Sequence, residues 1–176
     1  MTGFGRRLLS VFGSPPPAPP LEGREIAYRG GVVTFAIPRG WHEEYEPEGG
    51  GTFHDGRPDS GTLRLNLLTM ERTSAVQPEH LEVLIRTACK PMDCAIEPLA
   101  GGNLLGRVKR AGHEGGRRLT MHWWYVASAV DARHARLATF SYTVLAEQAK
   151  AAATVRDVAF IDASVCALRF APQLGE

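Results

Sequence analysis

A charge excess of either sign, a long apolar run and an even set of cysteines are all missing from this chain of 176 residues. Twenty basic side chains face nineteen acidic ones, a formal charge of +1. That balance excludes a broad nucleic-acid footprint, which needs clustered Lys and Arg to displace counterions. No stretch approaches the length of a membrane-spanning helix. Three cysteines, Cys89, Cys94 and Cys166, do not make the even count of a secreted disulfide framework. Cys89 and Cys94 flank a short turn and are close enough in sequence to meet, but in a cytosolic chain half-buried reduced thiols are the expectation.

Familiar catalytic motifs are missing as well. Gly49-Gly50-Gly51 is not followed by Gly-Lys-Ser/Thr and so lacks the lysine that a phosphate-cradling loop needs. Gly101-Gly102 precedes a strand instead of opening a helix, which removes the dipole argument for an anion site. His42-Glu43-Glu44-Tyr45 has no second histidine one helical turn on, and no Gly-x-Ser-x-Gly elbow occurs. The histidines are scattered without ligand spacing, so neither a metal nor a cofactor is expected, and no enzyme activity.

What is present divides the chain in three. Residues 1–22 read as an arm: Phe4, Leu8, Val11 and Phe12 fall at i, i+4, i+7 and i+8, one face of a short helix, with Arg6 and Arg7 beside it. The run Ser14 to Pro20 is too rich in proline to join a sheet and reads as an extended spacer. The arm is then either a hook for a partner groove or a membrane surface, or a frayed terminus. Because Pro-rich sequence follows Leu8–Phe12 where a leader would have a cleavage site, we read the protein as cytoplasmic, with peripheral membrane contact through residues 1–13 as one option for the hook. Residues 23–172 read as a single α+β domain, and 173–176 as a tail.

Inside the domain, strands are expected at Glu25–Tyr28, Val32–Ile37, Thr52–His54 and Thr62–Met70. A meander of three more follows at Asn103–Arg110, Arg117–Ser128 and Ala135–Val144. Pro78–Cys89 reads as a helix with Leu81, Leu84, Ile85 and Ala88 on its apolar stripe. A longer helix from Glu147 to Arg169 carries Val155, Val158, Ile161, Val165 and Leu168. Trp123 and Tyr125 face one side of their strand and His122, Trp124 and Val126 the other, which predicts a sheet covered on both faces. Phe35, Leu63, Leu65, Leu67, Phe140, Tyr142, Ile161 and Leu168 are the expected core.

Three stretches carry a family resemblance. They are the strand ending in the corner Pro38-Arg39-Gly40-Trp41, the turn Phe53-His54-Asp55-Gly56 before the Leu63 strand, and the C-terminal run Ala163 to Phe170. Over residues 25 to 170 the chain resembles the Mog/PsbP-like superfamily. The resemblance implies a predominantly antiparallel sheet flanked by helices on both faces. It also implies a style of function, since relatives include assembly factors of photosynthetic complexes, a Ran-binding transport factor, bacterial lipoproteins and chaperones of secretion effectors. By that resemblance the chain would be a non-catalytic accessory, assembly or chaperone-like module with a protein partner, such as a membrane-associated complex or a secretion effector.

Candidate contact residues beyond the arm are Trp41, as an interface anchor or a corner packer, and the cations Arg107, Lys109, Arg110, Arg117 and Arg118. These bracket one hairpin with His113 at its tip and would suit an acidic partner, or simply guard a sheet edge. His54, Asp55, Asp59 and His42 form the one polar cluster with acid–base or metal potential, set against their role as turn formers. The alternative function is a helix-grip-like binder of a small apolar ligand, with Trp123, Trp124, Tyr125, Phe140 and Tyr142 lining the pocket.

Overall fold

The alternating Thr62–Glu71 strand sets the architecture. Its Leu63 and Leu65 are buried and Leu67 partly so, while Arg64 and Asn66 are exposed, which puts one face of the strand on a core. In the computed structural model, residues 20–90 and 92–172 are described. Among these described residues, ten strands form two antiparallel sheets: β1 (Gly23–Tyr28), β2 (Val33–Pro38), β3 (His42–Tyr45), β4 (Gly51–His54), β5 (Thr62–Glu71), β6 (Ala95–Pro98), β7 (Leu104–Glu114), β8 (Arg117–Ala129), β9 (His134–Leu145) and β10 (Arg169–Phe170). The larger sheet runs β3-β4-β5-β9-β8-β7-β6, and the smaller β1-β2-β10.

The expected meander is the centre of the large sheet. Its first turn, Gly115-Gly116, has φ of 55° and 77°, the paired left-handed conformation that suits the twist of a tight hairpin and that glycine adopts without strain. Trp124 and Val126 face one side of β8, Tyr125 and Ala127 the other, and all four are buried. Helix α1 (Pro78–Ala88) covers the second side, packing Leu81, Ile85 and Cys89 on Tyr125, Ala127, Leu137 and Ala135. Helix α2 (Ala152–Cys166) and the small sheet cover the first. The fold is therefore α+β, with a predominantly antiparallel sheet and helices on both faces.

The main core lies between the sheets. Phe35 of β2 meets Phe53 and Phe140 edge-on at 5.4 and 5.1 Å, a preferred ring arrangement. Of the eight expected core residues, seven are buried, and Leu67 packs against them at the margin. Glycine is needed at 61, where a Cβ would sit 2.0 Å from the Tyr142 ring.

Several elements differ from their sequence-based bounds. The last helix is shorter at both ends: Glu147–Ala151 form turns, and Arg169-Phe170 leave the helix to pair with Thr34 and Val33 as β10. Beyond that pair, the Ser164 hydroxyl of α2 accepts from Ala36 N at 2.8 Å and donates to Ala36 O at 2.7 Å, completing the edge of β2. Val155, in the first turn of α2, is 55% exposed, against the expectation that it packs across the sheet. On α1 the buried stripe is 81, 85 and 89, with Leu84 packed partly buried beside it as expected and Ala88 outside it, since i, i+4, i+8 follows the buried line more closely than i+7 does here. The first hairpin belongs to the small sheet and not to the main one, and the short strand β6 had no expectation attached.

Candidate functional site

Where α2 overhangs the large sheet, the side of β7 and β8 nearest it is left partly uncovered. A groove of about 490 Å³ opens there, walled by Val155, Val158 and Ala159 of α2 and floored by the Arg107–Lys109 and His122–Trp124 segments. Its closed end is an ion network. Asp162 of α2 accepts from Arg107 Nε at 2.6 Å, from Arg107 Nη2 at 3.3 Å and from Trp124 Nε1 at 2.8 Å. Glu97 on β6 closes on the same guanidinium, and Arg107 Nη2 reaches Cys166 Sγ at 3.1 Å. Burial alone would raise the Asp162 carboxyl, but the Arg107 and Trp124 hydrogen bonds outweigh it and hold it below the usual carboxylate range. The Asp162 hydrogen bond is likewise the largest influence on Arg107, pushing its already high value further up.

The mouth of the groove is different. Lys109 is exposed and pairs with no carboxylate among the described residues. His122, stacked on Trp124 at 6.0 Å between centroids, is held toward its neutral form by burial and then by the Lys109 charge. The groove is thus apolar along its walls, electrically satisfied at its closed end and cationic at its mouth.

The expected cation patch is dispersed. Arg107 and Lys109 face the groove, whereas Arg110 lies on the other face of β7, 5.7 Å over the Trp123 ring. Arg117 and Arg118 sit at the far hairpin end, where Arg117 pairs with Asp59 at 2.9 Å and Glu147 at 3.9 Å. Ten residues separate Arg107 from Arg117 and the strand period alternates faces, so the five are not one surface. Trp41 is corrected too: it is 7% exposed and stacks on Tyr142 at 6.1 Å with 13° between planes, because the Pro38–Trp41 corner folds its ring inward. It packs the corner, the second of its two expected roles. Phe4, Leu8, Val11 and Phe12 lie outside the described residues.

The interior ligand pocket is also overturned. Tyr125, Phe140 and Tyr142 are at most 2% exposed and packed against other core side chains; Trp123 stacks on Tyr125 on the α1 side, and Trp124 is the one of the five whose ring is on the groove's face. The polar corner is built of turns. Asp55 holds Arg57 by backbone and side chain, and Asp59 adopts a left-handed φ of 61°. His54 accepts from Gly56 N at 3.1 Å and meets Glu44 at 3.3 Å. Among the described residues, no three His, Cys, Asp or Glu side chains gather as metal ligands would.

Asp162 and Glu97 carry no motif in the sequence, and Val155 belongs there to the helix stripe expected to pack across the sheet. Asp157 and Asp162 lie five residues apart in a helix that is mostly apolar elsewhere, and that interruption was the available signal. Glu97 comes from a strand that only pairing with β7 creates.

This arrangement, two antiparallel sheets clasping a core with α2 laid over the larger one, is a Mog/PsbP-like fold. A protein of Bacteroides thetaiotaomicron matches at 16% identity with a TM-score of 0.61 over 88% of this chain; the chain spans 50% of its length. The Saccharomyces cerevisiae Ran-binding protein Mog1p matches at 12% identity and TM-score 0.55, over 85% of this chain and 96% of Mog1p. LpqN, involved in cell envelope biogenesis of Mycobacterium tuberculosis, matches at 15% and 0.51, over 72% and 80%. No protein-family model and no curated protein sequence matches the chain. Among the described residues no helix is long and apolar enough to cross a membrane.

Proposed function

We propose that this chain is a non-catalytic, protein-binding accessory module of the assembly or chaperone-like kind, and that the groove under α2 receives the partner. The observation that carries the reading is the pairing of an open apolar groove with an exposed cation at its mouth, Lys109, which pairs with no carboxylate among the described residues. That combination suits a polypeptide segment with a large apolar side chain and a carboxylate near it. Mog1p, with the same fold, is a Ran-binding protein, which favours a protein partner in general and identifies none. The polar corner residues His54 and Asp55 are occupied in turn contacts, which supports the non-catalytic part. The N-terminal arm would be a second point of attachment, to the same partner or to a membrane beside it.

The test is native co-purification of the full chain, followed by Val155→Asp and Lys109→Glu. A stoichiometric partner whose affinity falls about tenfold or more with each variant, while the thermal melt is unchanged, is the expected result. A partner held equally by both variants would move the site elsewhere. A chain isolated alone under mild extraction would count against the module reading itself.

A small apolar ligand is the second reading, because 490 Å³ lies within the usual range for ligand sites, about 300–1,000 Å³. It is disfavoured by the 55% exposure of Val155, which a small ligand would leave wet and a polypeptide would cover. Native mass spectrometry showing a bound small molecule that Val155→Asp releases would reverse the preference.

A further inference from the structure

Away from the groove, on the opposite face of the large sheet, two thiols are in contact. Cys89, at the C-terminal end of α1, and Cys94, just before β6, have their sulfurs 3.0 Å apart. That is about 1 Å beyond the ~2.05 Å of a disulfide bond. Cys89 is 2% exposed and Cys94 5%. Both belong to the cluster in which Ile85 and Leu81 seat α1 on Tyr125. The turn between them is tied by Met92 N donating to Cys89 O at 2.8 Å, so the approach is set by backbone geometry and not by chance side-chain reach. Cys166 has no thiol neighbour in contact; its contact is Arg107.

We propose that Cys89 and Cys94 are a redox modification site: they close an intrachain disulfide on meeting a disulfide oxidant, and the bridge fastens the end of α1 to the edge strand β6. The proposal departs from the expectation of two independent reduced thiols and does not depend on the function assigned to the groove. With oxidised glutathione as oxidant, the chemistry balances as follows. Cys94 gives up its proton, and its thiolate attacks one glutathione sulfur, forming a mixed disulfide and releasing one glutathione thiolate. Cys89 then loses its proton and attacks the Cys94 sulfur, releasing the second glutathione. Two electrons and two protons leave the protein, and one external disulfide becomes two thiols.

Cys94 attacks first because it is the more exposed of the two, 5% against 2%. Burial, then the neighbouring Cys89, pushes the Cys94 thiol up to about 11, so the first step is slow in the closed structure and waits on local opening of the turn.

The full chain is equilibrated with excess oxidised glutathione in mild, non-unfolding urea, quenched in acid, unfolded, alkylated and digested. The expected product is one linked species joining the Cys89 and Cys94 peptides, about 2 Da lighter than their reduced sum, that returns to two alkylated peptides after reduction. Amide exchange at the end of α1 should slow about tenfold in the oxidised form. In Cys89→Ser, Cys94 should stop as a stable glutathione adduct, for lack of a resolving thiol. Independent alkylation of Cys89 and Cys94, separate glutathione adducts on both in the unaltered chain, or linkage of either to Cys166 would overturn the site. Unchanged exchange in the linked form would overturn the fastening.

Discussion

Trp41 and Asp157 mark two kinds of residue whose burial decides their role. Trp41 stacks on Tyr142 beneath the corner, so its removal acts through the core. Trp41→Ala should cost about 3–5 kcal/mol of stability, seen as an early denaturant midpoint with partner affinity per folded molecule preserved. A variant with normal stability and lost binding would restore Trp41 to the interface. Asp157 on α2 is 9% exposed and accepts from Tyr142 Oη at 3.2 Å. Burial raises its carboxyl above the ordinary range, with the Asp55 charge adding to it, although the tyrosine hydrogen bond pulls the other way. The native state therefore holds this proton more tightly than the unfolded chain does. Stability is lost as pH rises from the unfolded value, about 4, through the raised native one, and the cost is fully present at neutral pH. Asp157→Asn has no proton to lose. It should melt higher than the parent at pH 7 and level with it at pH 3, where Asp157 is protonated in both states. Equal differences at both pH values would show that the carboxyl is not the cause.

At the scale of elements, the arm and α1 stand in contrast. The first backbone bond that ties the described chain to a later segment is Arg39 N to Glu22 O at 2.8 Å. Deleting residues 1–20 removes no hydrogen bond between described residues. Such a deletion should change the folding free energy by less than about 0.5 kcal/mol while weakening the grip on a partner or membrane. Calorimetry together with a co-sedimentation or pull-down assay separates the outcomes: unfolding would make the arm part of the core, and unchanged binding would make it dispensable. Helix α1, by contrast, is seated by Leu81 and Ile85, 3% and 0% exposed, and its loss would uncover Tyr125 and Leu137.

Across the whole molecule, a seven-stranded open sheet has two edges to protect. One is β3, whose His42-Glu43-Glu44-Tyr45 is exposed throughout; the other is β6, four residues long and ending in Pro98. Charge on one edge and brevity with proline on the other are known ways to block strand addition. Replacing Glu43 by Thr and Glu44 by Val should produce concentration-dependent self-association in size-exclusion chromatography without lowering the melting temperature by more than a few degrees. A variant that stays monomeric at high concentration would mean the twist of the edge, and not its charge, protects it.

The alternating and helical periods of the sequence determined the strands β5, β8 and β9, the helix α1, the two-sided burial at Trp123–Val126 and the α+β class, because each follows from local backbone geometry and the burial of one phase. Proline and glycine positions likewise marked the corner at Pro38 and the hairpin at Gly115-Gly116. Only the tertiary structure decided that the first hairpin leaves the main sheet, that Arg169-Phe170 join it as a strand, that Trp41 turns inward, and that Asp162, Glu97 and Arg107 meet. Those outcomes depend on contacts between residues tens of positions apart, as in the 55 residues from Arg107 to Asp162, and no local period encodes them. The groove has the same origin: its walls come from α2 and its floor from β7 and β8, a relation between elements that no one element's sequence contains.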